Sequence, residues 1–188
     1  MAKSKRTSNS KKNQKEKNHW WKDRHPVLRF ILAFLGLMLL FYLFFYSPLY
    51  RNFLEKPFLS MQASISSFLL NLFGFATRAE GGIISGSTFS VNIKNGCDGL
   101  EAIAIFLSGI IIFPTSLRNK LPGIGWGLLA LFVLNIIRIV GLYIAGLYVS
   151  KETFDLLHVQ GGLIIYTMIG VLIWFVWMSW VMKKDQPS

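Results

Sequence analysis

The sequence predicts an all-α integral membrane protein. It should be a helical bundle of about four to five transmembrane helices with a small β-hairpin-like insert at the outer face. Three observations lead there. Of 188 residues, 53% are hydrophobic and only 15% are charged. The net charge of +11 is lopsided: ten of the 20 Lys and Arg lie in the first 29 residues, against two acids, Glu16 and Asp23. Behind this arm, uncharged runs of roughly bilayer-spanning length recur. The composition excludes a disordered chain, which needs low hydrophobicity. It also argues against a soluble nucleic-acid binder, which would spread its cations over a polar folded domain. No nucleic-acid partner is expected.

Residues 1–25, with KSKR and KKNQKEK, read as a disordered basic tail. The positive-inside rule holds such a tail in the cytoplasm, and anionic lipid headgroups attract it. The polytopic membrane domain then occupies residues 26–184, and 185–188 form a short tail. Phe30 to Tyr50 carries no charge for 21 residues, which places a first span at about 27–50. A cleaved signal peptide would have a shorter apolar core and a small-residue cleavage site, and FYLFFYSPLY offers none. Tyr42, Tyr46 and Tyr50 suit the far interface.

Residues 57–77 are uncharged but amphipathic. Ser60, Ser64, Ser67 and Asn71 recur at helical spacing opposite Phe58, Met61, Ile65, Phe68, Leu69, Leu72 and Phe73. Such a helix either lies in the interface or stands in the bundle with its polar stripe inward. The Gly-rich stretch EGGIISGSTFSVNIKNG follows. Phe89, Val91 and Ile93 alternate with polar residues, and Ile83 and Ile84 precede them, which suggests a hairpin outside the hydrocarbon. Further spans are expected at 99–117, 121–150 and 159–182. Gly123 and Gly127 in the third suggest close helix packing.

Charge sets the orientation. The arm, the tight loop Arg118–Lys120 and the terminal Lys183 and Lys184 are positive. They belong on the cytoplasmic side, with both termini. Residues 51–98 and 151–158 then face outward, and 57–77 is best placed as a re-entrant or interfacial helix. The expected location is the inner (plasma) membrane, with the site facing the periplasm or exterior.

That topology gathers a small polar set at the outer face. Cys97 lies just before the second span, Arg138 inside the third, and His158 just before the last. An ionisable group this deep is a functional candidate. The alternative is a structural Arg paired with Glu101 or Asp98. Cys97 is the only cysteine, so it forms no disulfide within the chain. At a helix N-terminus, with cations near, its thiolate should be stabilised. His158 is a candidate general acid/base. No P-loop, HExxH or GxSxG occurs, and no ligand spacing suggests a metal. No cofactor or metal is expected.

The ordered trio Cys97-Asp98-Gly99, Asn135-Ile-Ile-Arg138 and His158 resembles the exosortase/archaeosortase family over about residues 80–165. The short length and the GLEA context look like its compact exosortase H branch. Asp98, where small or polar residues are common, and the low span number are departures from the family pattern. The resemblance implies a membrane-embedded cysteine protease or transpeptidase with catalytic Cys97, Arg138 and His158, supported by Asn135, Gly99, Asp98 and Glu101. It implies partners too: secreted proteins bearing a C-terminal sorting tail of motif, apolar helix and basic residues. The tail is cut through a thioester, and the acceptor (water, lipid or glycan) stays open. The alternative is a non-enzymatic membrane assembly or export subunit with Arg138 as a structural ion pair.

Overall fold

The computed structural model describes residues 26–93, 97–155 and 162–184. The basic arm, residues 94–96, His158 and the C-terminal tail lie outside the described residues. The chain divides into two units, one ending at Leu37 and one running from Met38 onward. The first holds most of helix α1, Pro26–Phe45, which is apolar throughout. All that follows belongs to the second.

A π-helical turn, Tyr50–Glu55, leads into α2, Lys56–Leu72, with Pro57 in its first turn. Pro is tolerated there because the missing N–H is unpaired at a helix start in any case. Gly74, at φ +88°, ends the helix. Asn71 Oδ1 then accepts the Thr77 N–H at 2.8 Å and fixes the exit. The polar side of α2 faces inward. Gln62, Ala63, Ser66, Ser67 and Leu70 are buried, whereas Met61, Phe68, Leu72 and Phe73 are exposed. Of the expected stripe only Ser67 is buried, Ser60 is half-buried, Ser64 and Asn71 are exposed, and Gln62 and Ser66 take the inward positions instead.

Three short strands follow: β1 Arg78–Glu80, β2 Ile83–Ser85 and β3 Ser90–Asn92. They form one antiparallel sheet in that order, with Ala79 opposite Ile84 and Ile84 opposite Val91. The expected hairpin is β2–β3. The added strand β1 joins through Gly81, whose φ of +55° suits the tight reversal. Alternation sends Ile84 and Val91 into the core and leaves β2 and β3 neighbours outside.

Helix α3, Leu100–Ile112, is 13 residues long, about 20 Å at 1.5 Å per residue. It stops because Pro114 follows. Phe113, the residue before it, is extended at ψ 129°, as steric clash with the proline ring requires. Helix α4, Leu117–Tyr148, runs for 32 residues. Arg118 and Lys120, expected in a loop, sit in its first turn, and the turn itself is Phe113–Ser116. Lys120 Nζ reaches back to the Ile111 carbonyl at 2.6 Å, satisfying an end group of α3. The short α5, Lys151–Asp155, and α6, Gly162–Lys184, complete the order.

Three helices among the described residues are long and apolar enough to cross a membrane: α1, α4 and the α6 stretch from Ile164. That is fewer than the four to five expected. The difference lies in α3, whose length falls short of the ~30 Å hydrocarbon core. The architecture is that of an all-α membrane protein with a small sheet.

Helix α4 is shared by two cores. Its first half packs with α3 and α6 around Phe106, Ile110, Leu131, Tyr166 and Trp177. Gly127 admits the Phe106 ring and Gly123 the Trp177 indole, each where a Cβ would collide. The second half packs with α2 and the sheet around Ala63, Leu70, Ile84, Ile139 and Tyr143. Asn135 and Arg138 sit where the two cores meet.

Candidate active site

Cys97 lies between β3 and α3, only 5% exposed. Its backbone is pinned from two helices. Asn135 Nδ2 of α4 donates to the Cys97 carbonyl at 3.0 Å, and Gln62 Nε2 of α2 donates to the Asp98 carbonyl at 2.9 Å. The two amides also meet, Asn135 Nδ2 to Gln62 Oε1 at 3.4 Å. Both side chains are almost fully buried. Amides suit the place because each presents donors and an acceptor on a short, planar group.

Gly99 makes the turn into α3 at φ +81°, a conformation that side chains with a Cβ disfavour. A Cβ there would also stand 2.9 Å from the Tyr166 hydroxyl and 3.1 Å from Asn135 Cγ. The glycine two residues after Cys97 is therefore dictated twice, by backbone and by space. The Asp98 carboxylate accepts the Leu100 N–H at 3.2 Å, at the mouth of the helix.

Arg138 arrives from α4, one helical turn beyond Asn135. Its Nη2 lies 3.7 Å from Cys97 Sγ, and its Cζ lies 5.6 Å from the centre of the Tyr166 ring. The ring face draws the guanidinium electrostatically. Tyr166 is itself fixed by donating to the Leu131 carbonyl at 2.7 Å. The described contacts thus aim Arg138 at the sulfur and an aromatic face, not at the Asp98 or Glu101 carboxylate.

One electrostatic expectation is reversed. Burial pushes the Cys97 thiol above its ordinary value, Arg138 opposes this, and Asp98 and Glu101 add to the rise. Desolvation disfavours the thiolate more than one nearby guanidinium favours it. Burial thus favours the thiol over the thiolate, and a proton acceptor beside the sulfur favours the nucleophilic form. Asp98 is also pushed up, to about 6, first by burial and then by Glu101.

Of the expected residues, the structure brings Cys97, Arg138, Asn135, Gly99 and Asp98 together, with Glu101 one helical turn further along α3. His158 lies outside the described residues. Gln62 and Tyr166 were not anticipated. Gln62 had one signal, as a polar residue in a helix whose other polar positions are Ser and Asn. Tyr166 had none, because an aromatic residue in an apolar span is ordinarily core.

The sequence matches the family described as Transmembrane exosortase (Exosortase_EpsH) over residues 25–175. The chain belongs to this exosortase family. The match takes in both units, from the start of α1 to most of α6, and so includes every element that shapes the site. No curated protein matches the chain. No solved structure matches it.

Proposed function

We propose that this exosortase-family membrane protein is a cysteine peptidase or transpeptidase acting on secreted proteins that carry a C-terminal sorting tail. The observation that carries the reading is the approach of Arg138 Nη2 to Cys97 Sγ, at 3.7 Å. A buried thiol beside a guanidinium, at a helix start, is suited to acyl chemistry.

His158 takes the thiol proton, and the sulfur attacks the scissile carbonyl. Arg138 donates hydrogen bonds to the oxyanion that develops. The carbon–nitrogen bond breaks as His158 returns the proton to the leaving amine, which leaves a thioester on Cys97. His158 then deprotonates the acceptor, whose attack releases the thiol. Asn135 and Gln62 hold the loop so that the sulfur keeps its place. The substrate's apolar helix docks in the membrane beside the spans and delivers the scissile bond. With α3 and the Phe113–Ser116 turn together taken as a fourth crossing, the site faces the outer side of the inner membrane and both termini lie in the cytoplasm.

The test is membrane abundance and tail cleavage measured side by side. Cys97→Ala accumulates normally and abolishes cleavage. Arg138→Lys keeps a charge but loses the planar fork, so cleavage per molecule drops by roughly 10²-fold or more, as for one lost oxyanion donor. Wild-type cleavage by Cys97→Ala would leave a non-enzymatic assembly or export role instead.

A further inference from the structure

Two of the chain's nine acidic residues, Asp98 and Glu101, meet at a pocket that the chemistry above does not use. Asp98 and Glu101 line it on one side, and Tyr42, Phe45, Tyr46 and Tyr50 on the other. Glu55 is close enough to add to the rise at Asp98. The pocket is small, about 40 Å³. Asp98 directly follows Cys97, so the pocket adjoins the nucleophile loop on the side of the π-helical turn.

Two of its polar atoms are unmet. Tyr50 is 7% exposed, and its hydroxyl has no hydrogen-bond partner among the described residues. Glu101 Oε2 is likewise buried without one. An ionised carboxylate only accepts hydrogen bonds, and a phenol oxygen accepts as well as donates. The missing group is therefore a donor. Four aromatic side chains line the pocket, and an aromatic ring attracts a cation to its face. Arg51 already lies over the Tyr46 ring, 5.2 Å from its centre. None of the described lining residues is a cation. A hard metal ion would need six or more oxygen ligands, more than two carboxylates and a phenol among aromatic rings supply.

We propose that this pocket binds a primary ammonium group, held by the Glu101 and Asp98 carboxylates, the Tyr50 hydroxyl and the surrounding ring faces. The proposal extends the reading of Cys97 as nucleophile, because it names what lies beside the thioester. Two sources share the chemistry: a lysine flanking the scissile bond, and a free amine that accepts the acyl group.

The direct experiment needs no cleavage. The full chain in detergent is titrated with ethylammonium chloride against sodium chloride at equal ionic strength, and thermal unfolding is followed. Ethylammonium raises the unfolding temperature saturably, and sodium does not. In Glu101→Gln the apparent Kd weakens by roughly tenfold or more, as for a lost charge-assisted hydrogen bond. Tyr50→Phe, which removes one oxygen, weakens it in the same direction and decides the matter should Glu101→Gln fail to fold. Equal behaviour of the two salts, or unchanged affinity in Tyr50→Phe, overturns the proposal. Cleavage of a tailed reporter then separates the sources. An ethylamide on the product assigns the pocket to the acceptor. Faster cleavage with lysine beside the scissile bond, lost in Glu101→Gln, assigns it to the substrate. Binding without any cleavage leaves the pocket standing and removes the transpeptidase reading. Cleavage without binding does the reverse.

Discussion

At Gly99 the chain turns through φ +81° with Tyr166 and Asn135 closing on the place a Cβ would take. Alanine in this left-handed conformation costs about 1–2 kcal/mol before the two contacts are relieved. Gly99→Ala therefore moves the Cys97 loop off Asn135, and the expected result is lower thermal stability with a still larger loss of cleavage per molecule. Unchanged melting and cleavage would show that the loop adapts freely. Cys97 makes a second prediction. Its thiol is held above the ordinary range by burial, with Arg138 pulling the other way. The thiolate is the reactive form, so the alkylation rate of Cys97 should climb with pH through a midpoint above that of free cysteine. Arg138→Gln removes the one lowering influence among the named charges, and the midpoint moves higher still. The check is the pH–rate profile, read by its midpoint because a substitution can also change access. A midpoint below that of free cysteine contradicts the burial argument.

Among the elements, α2 contributes to the site through one residue. Gln62 donates to the Asp98 carbonyl and meets Asn135. Gln62→Leu keeps the bulk and removes both links. A buried carbonyl and amide then lose partners, at about 1–3 kcal/mol for each group left unsatisfied. The protein should melt earlier, and cleavage should fall with kcat more than with KM, because the loop and not the substrate is loosened. A pure KM effect would make α2 a substrate-docking element. Helix α4 shows why periodicity alone did not reveal this. Asn135 and Arg138 are one turn apart on its surface, so their shared face was legible. That α2 faces them was not, because its apolar residues Met61, Phe68 and Leu72 point outward. In water the reverse would hold, but an apolar outer face is natural where lipid is the solvent.

The whole molecule carries the topology prediction. On the proposed topology, with α3 completing a fourth crossing and both termini inside, a cysteine at exposed Arg118 in a Cys97→Ala background is labelled from the cytoplasm, and one at exposed Ser87 in the β2–β3 turn from outside. Labelling of position 118 from outside would move the site off the secretory side and sink the proposed substrate class. The sequence by itself determined the membrane class, the helical character and the sheet's β2–β3 hairpin, and it singled out Cys97 and Arg138 as candidates, because charge, hydropathy and spacing are local properties. Tertiary structure decided the rest. Pro114 and the turn it enforces cut α3 to 13 residues and drew Arg118 and Lys120 into α4. The long-range approach of Arg138 to a sulfur 41 positions earlier, the inward turn of Gln62 and the seat of Tyr166 beneath the guanidinium all depend on which helix faces which. The Cys97 thiol sits above its ordinary value for the same reason: desolvation follows from how much protein closes over the group, which only the folded chain sets.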